Sequence, residues 1–277
     1  MKKILVPTDF SANAKSSFEY ALRLADKINA LVEVVHFYHP TVQQVDGFLE
    51  LSNGKLEESL REKMYDFIES CFDKSIEEIL LAEMVAYQLE LGFATDKIVE
   101  FSKSGEYDLI VMGATGTTGI FEKVFGKVSS HVAQYAKSSV ILIPAGVSFE
   151  PIEEIMYASE YESVDGEILF DVEKFAKYFD ANVHLVHVYD EDEKQPGGLS
   201  HFLLEKAFQI KAPSLKFTME SVTSDSVAHG LEKFAEEKEM DLMVLVKPKR
   251  KFWQRLIHKS ETNSIIMNPQ LPIMVMH

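Results

Sequence analysis

The chain has 277 residues, 46% hydrophobic and 26% charged, which is the composition of a globular protein long enough for one large domain or two ordinary ones. Its formal net charge of −16 works against non-specific contact with nucleic acid or an anionic membrane. A single cysteine, Cys71, rules out an internal disulfide and leaves a small residue in a helical apolar pattern.

Lys3-Ile4-Leu5-Val6-Pro7 reads as a short buried strand, and its four apolar residues before Thr8-Asp9 are too few for the apolar core of a secretion signal. No apolar run reaches membrane-spanning length, so the expected setting is cytoplasmic. Thr8-Asp9-Phe10-Ser11 is a turn with an N-cap candidate at Ser11, followed by a helix stripe from Ala14 to Ile28. Leu31 to Phe37 is a second strand, and a polar loop is expected from Tyr38 to about Asn53. Leu56, Leu60, Met64, Phe67, Ile68 and Cys71 mark an amphipathic helix. Glu83 to Leu89 reads as a third strand closed by Gly92, and Thr95 is placed to cap a helix running to about Ser104.

Asp108 to Met112 is the fourth strand, and its run Leu109-Ile110-Val111-Met112 is apolar as a strand buried on both faces must be. Gly113, Gly116, Gly119 and Gly126 follow, and then another helical stripe. Strand, glycine loop and helix start together make an anion site, because glycine admits close backbone approach and the helix N-terminus carries partial positive charge. Ser139 to Pro144 is the fifth strand. Such alternation predicts a doubly wound α/β fold with a five-stranded parallel sheet. Ligands of such sheets bind beyond the carboxyl ends of the strands, so Asp9, Phe37 and Gly113 are expected on one edge.

The second half repeats the plan. Ile155 to Ala158 mirrors Ile4 to Pro7, and Asn182 to Tyr189 mirrors the second strand. Leu199 to Ile210 reads as helix, Lys216 to Val222 as strand and Val227 to Lys238 as helix. Asp241 to Val246 copies Asp108 to Gly113, and Leu271 to Met276 the fifth strand. Two tandem domains are expected, residues 1–146 and 147–277. In the second, Glu160 stands for Asp9, Val246 for Gly113, Lys249 for Gly116 and Lys259 for Gly126, so that domain is read as keeping the fold without the site.

Other features carry bland readings. His36 and His187 hold matching strand positions, which favours packing or hydrogen bonding over catalysis, and His131 reads as a surface or cap residue. Asp9 by itself would suit helix capping. The basic run Lys247 to Arg255, with Trp253, is a solvated loop or a partner contact. There is no HExxH, CxxC, G-x-S-x-G or full Walker A motif, so neither a metal centre nor a catalytic residue is expected.

Val6-Pro-Thr-Asp-Phe-Ser11, Val35-His-Phe37, and Gly113-x-x-Gly116 spaced nine residues from Gly126 resemble the universal stress protein (UspA) family in its tandem-domain form. The glycine spacing is similar to that of the ATP-binding branch, in which Ser or Thr follows the final glycine; here Lys127 follows, with Ser129 two further on. The resemblance implies one nucleotide across the strand ends of the N-terminal domain: ATP, with or without magnesium, or AMP or ADP in its place. Pro7, Thr8 and Asp9 would border adenine and ribose, and Phe37 would offer backbone groups to the base. Met112, Gly113, Thr115 and Gly116 would wrap the ribose and first phosphate. Gly126, Lys127, Val128 and Ser129 would hold the outer phosphates. The family likeness further implies pairing of the fifth strands, here as an internal pseudo-dimer or in a homodimer. The implied role is stress response or signalling without efficient turnover; a ligand-free interaction module and a slow ATPase are the alternatives.

Overall fold

The computed structural model describes residues 2–39, 42–45, 48–51, 53–72, 84–114, 126–158, 166–189, 205–206, 208–246 and 271–277. They divide into two compact units, Met1–Phe149 and Glu150–His277.

The first unit is built on a parallel sheet. Strand β1 (Lys2–Pro7) lies between β2 (Ala30–Tyr38) and β6 (Leu109–Gly113). Beyond them lie β5 (Val85–Leu91), beside β2, and β7 (Ser139–Ile143), beside β6. Ile4, Leu5, Val6, Ile110 and Val111 have no exposed surface, the condition that an apolar run covered on both faces satisfies. The chain runs outward from β1 through β2 to β5, then returns to the other side of β1 for β6 and β7. Strand order therefore reverses between β1 and β6, where α/β sheets open a crevice at their carboxyl ends.

Helix α1 (Ala12–Ile28) starts where Ser11 accepts a bond from the Ala14 N–H, and ends at Asn29 in the left-handed conformation. It packs on β1, β2, β6 and β7. Buried Phe18 stacks on Phe67 of α2 (Asn53–Glu69), ring centres 5.9 Å apart, and ties the two helices. Cys71, after α2, is half-buried; it donates to the Phe67 carbonyl, and burial pushes its thiol up to about 11.

Three expectations need correction here. The Tyr38–Asn53 stretch contains an antiparallel pair, β3 (Val42–Val45) and β4 (Phe48–Leu51), in register from Val42↔Leu51 to Val45↔Phe48. Asp-Gly between two short apolar runs is a strong hairpin signal that an overall impression of polarity conceals. The third strand runs to Leu91, two residues past its expected end, because Tyr38↔Leu91 extends the ladder and Gly92 N–H donates to the Tyr38 carbonyl. Gly92 sits at φ 141°, a conformation that favours glycine. Helix α3 (Ala94–Lys103) is headed by Phe93 and has no capping side chain; Thr95 lies inside its first turn. The last helix of this unit, α4 (Lys127–Tyr135), begins after Gly126.

The second unit has the same strand order. Strand β8 (Glu154–Ala158) lies between β9 (Asn182–Tyr189) and β11 (Leu242–Val246), flanked by β10 (Phe217–Thr223) and β12 (Ile273–Met276). Val246 stands opposite Met276 as Gly113 stands opposite Ile143. Helix α5 is Gly166–Ala176 and α6 is Val227–Glu237, capped by Ser226. Of the helix expected at 199–210, positions 205, 206 and 208–210 are described and are helical, as is 211. Glu160, Lys249, Lys259 and the basic run with Trp253 lie outside the described residues.

The units also share a clasp at the amino ends of their strands, with its polarity reversed. Lys3 Nζ meets Glu33 at 2.7 Å in the first, and Tyr107 donates to the same carboxylate. In the second, Glu154 occupies the place of Lys3 and meets His184 Nε2 at 2.6 Å. Burial raises the Glu154 carboxyl, but hydrogen bonds from His184 and Asn182 outweigh it and hold the group below the usual carboxylate range.

Candidate functional site

Where strand order reverses in the first unit, a cavity of about 230 Å³ opens at the carboxyl ends of β1, β2 and β6. Pro7, Thr8 and Asp9 come to it from the end of β1, Phe37 from β2, and Met112 and Gly113 from β6. Gly126, Lys127, Val128 and Ser129 reach it from the start of α4. Residues more than a hundred positions apart thus share one space. Thr115 and Gly116 lie outside the described residues.

The β1 end is held by a dense set of bonds. Thr8 N–H donates to the Val35 carbonyl (2.9 Å), its hydroxyl oxygen accepts the Phe10 N–H (3.0 Å), and its carbonyl accepts from His36 Nδ1 (2.8 Å). Asp9 Oδ1 accepts the Ser11 N–H at 3.0 Å. The cap of α1 is Ser11 itself, so Asp9 holds the turn in front of the helix. Phe10 adopts φ 63°, which costs a bulky residue about 1–2 kcal/mol. Its ring offsets this strain by packing against His36 (4.3 Å) and edge-on to Phe67 (5.6 Å), with the Lys63 ammonium 4.8 Å from its centre.

His36 also lines the cavity. Burial is the largest influence on it and, helped by the Lys63 charge, lowers its pKa below 6.5, against the opposing pull of the Thr8 bond and Asp9. A neutral ring facing a carbonyl must carry its proton on Nδ1, which leaves Nε2 as an acceptor. Hydrogen bonding is one of the two roles expected for it.

The β6 end is closed differently. Ala114 N–H donates to Ile143 (2.8 Å), and the Ala114 carbonyl accepts the Gly126 N–H (2.8 Å). The buried Ser129 hydroxyl points at that same carbonyl and at the Gly126 carbonyl (3.0 Å). Its one proton is directed into the loop base and not into the cavity.

Three helices begin at this space: α1, α3, whose Ala94 and Ile98 line it, and α4. Ser11 bonds to the first turn of its helix, whereas Phe93 and Gly126 make no such side-chain bond. First-turn N–H groups have no acceptor within their own helix, and each helix start carries roughly half a positive charge. The convergence favours an anion despite the net charge of −16. Ser11, Ala14, Ala94 and Ile98 were not expected as lining residues. Ser11 was visible as a cap, but the alanines and Ile98 carry only the generic stripe of an amphipathic helix. Among the described residues no cluster of His, Cys, Asp or Glu is arranged to hold a metal ion, and no helix is long and apolar enough to cross a membrane.

The model of the universal stress protein family matches residues 1–144. The chain belongs to the universal stress protein family. It is 30% identical over 146 residues to a universal stress protein of Methanocaldococcus jannaschii, covering 51% of this chain and 81% of that one. It is 22% identical over 301 residues to a universal stress protein of Synechocystis, covering 99% of both. A solved universal stress protein of Archaeoglobus fulgidus superposes with a TM-score of 0.69 at 18% identity, covering 99% of this chain and 97% of that one. The last likeness speaks to the fold of this universal stress protein along its whole length.

Proposed function

We propose that this universal stress protein binds an adenine nucleotide, ATP foremost, in the cavity of its first unit, and acts in cytoplasmic stress response or signalling through the bound state. The observation that carries the reading is Gly126. It heads α4 in an extended conformation, φ −70° and ψ 164°, open to any residue, so backbone strain does not call for glycine there. A serine or aspartate would bond the first turn itself; glycine leaves those donors to a ligand. The outer phosphates then lie against Gly126, Lys127 and Val128, with the Lys127 ammonium in place of the family's hydroxyl. Asp9 accepts the ribose hydroxyls, and backbone groups of Phe37 meet the base. Magnesium carried on the phosphates needs only one or two protein carboxylates, and among the described lining residues Asp9 offers one.

Turnover is not part of this reading. The second reading, a ligand-free interaction module, draws on Ser129, whose hydroxyl is spent inside the loop. The purified chain, denatured and extracted, is expected to release adenine nucleotide, and the apoprotein to bind ATP. Gly113→Val, which copies Val246, is expected to abolish both. Absence of nucleotide together with no measurable ATP affinity in the wild type would sink the proposal; phosphate release lost in Asp9→Ala would turn it toward an ATPase.

A further inference from the structure

The cavity is chemically lopsided. The α4 start is its anion end; Phe37, Ala94 and Ile98 give it an apolar part. Phe37 begins an aromatic series, itself edge-on to Phe101 (5.7 Å) and Phe101 stacked on Tyr107 (5.9 Å). Two exposed rings adjoin these lining residues in the chain. His39 follows Phe37 by two residues, which in extended chain returns it to the same face. Phe93 immediately precedes Ala94 and is 67% exposed. Their ring centres are 4.0 Å apart at a 49° tilt. Phe93 heads α3, where Ser, Thr, Asp or Asn would cap the helix and phenylalanine cannot. Packing does not account for it either, since most of its surface faces solvent.

We infer that His39 and Phe93 form an aromatic lip that stacks on the base of the bound nucleotide and so selects ligands carrying a flat, aromatic base over the bare ribose triphosphate. The inference rests on the nucleotide reading and extends it to two residues outside the family motif. A base entering against Phe37 lies beside Ala94, the residue after Phe93. A ring poised there supplies stacking without disturbing the phosphate end. Stacking of this kind is worth about tenfold in affinity per base.

The test uses the full-length chain, with ATP and ribose 5-triphosphate as probes. Phe93→Ala and His39→Ala are each expected to weaken ATP about tenfold and to leave ribose 5-triphosphate unchanged. Phe93→Trp is expected to retain ATP binding, with indole emission quenched by ATP and not by ribose 5-triphosphate, against the wild-type Trp253 background. Equal loss of both ligands, or ATP affinity untouched by Phe93→Ala while the wild type binds it, overturns the lip alone. No ATP binding by the wild type overturns the lip and the underlying reading together. Because both side chains are exposed, the variants are expected to keep the wild-type denaturation midpoint, which identifies an affinity loss as local.

Discussion

Ser129 and His36 show how far a side chain's identity falls short of its role. The family resemblance implied a phosphate contact at Ser129, yet at the third position of α4 its hydroxyl reaches back to the Gly126 carbonyl and across to Ala114. Sequence reports that a hydroxyl is present; only the fold reports where its proton goes. His36 was legible as a residue in a repeated strand position, and its tautomer follows once Thr8 supplies a carbonyl. Because burial lowers its pKa, the unfolded chain binds the proton more readily. Stability is therefore full above the unfolded value of about 6.5 and falls as pH drops through the window beneath it. Urea denaturation of the wild type is expected to show a lower midpoint at pH 5.5 than at pH 7.5. His36→Asn retains a donor near Nδ1 but cannot titrate, and is expected to flatten that difference; an unchanged profile would count against a buried neutral ring.

Elements were largely readable where periodicity is strong. The strand runs ILV and LIVM and the α1 stripe need no tertiary information, because burial on one or both faces dictates them. The β3–β4 pair and the Phe93 start of α3 were missed for opposite reasons: the first had a two-residue signal inside a polar-looking stretch, the second has no capping signal. Gly126 heads its element at a conformation serine would accept. Gly126→Ser is expected to leave stability unchanged or raise it by a few tenths of a kcal/mol, since glycine is already a tolerable cap, while weakening ATP. Paired thermal melts and ATP titrations check both halves of that trade; a variant that binds ATP like the wild type would deny the exposed helix start its role. Gly230 in α6 is different, because a Cβ there would lie 2.7 Å from Val188 Cγ1 of β9. Alanine favours helix by about 1 kcal/mol, but overpacking costs about 1–3 kcal/mol. Gly230→Ala is expected to lose about 1 kcal/mol in denaturant titration, recovered in part by Val188→Ala.

At the scale of the whole molecule, one strand order occurs twice. That duplication was legible because DLIVMG and DLMVLV occupy the same place in both orders. The sequence reading that the second copy keeps the fold without the site rests on Val246 and on Glu160, Lys249 and Lys259, which lie beyond the described residues. A ligand confined to the first unit stabilises only what it touches, by about 2.7 kcal/mol at a hundredfold excess over Kd. Hydrogen exchange with saturating ATP is expected to slow within residues 1–149, above all near Pro7–Phe10 and the start of α4, and to leave residues 150–277 unchanged. Slowing in both units would show that the second copy also binds.

The base of the loop after β6 bears on how such a protein can change. Ala114 and Gly126 are joined backbone to backbone, with Ser129 as a second latch, so positions 114 and 126 are pinned to each other. Lengthening a segment between pinned ends costs only about 0.6 kcal/mol per doubling. Thermal melts of variants with residues inserted between Ala114 and Gly126 are therefore expected to stay close to the wild type, because the sheet beneath is tied to the pinned ends and not to the length of sequence that joins them.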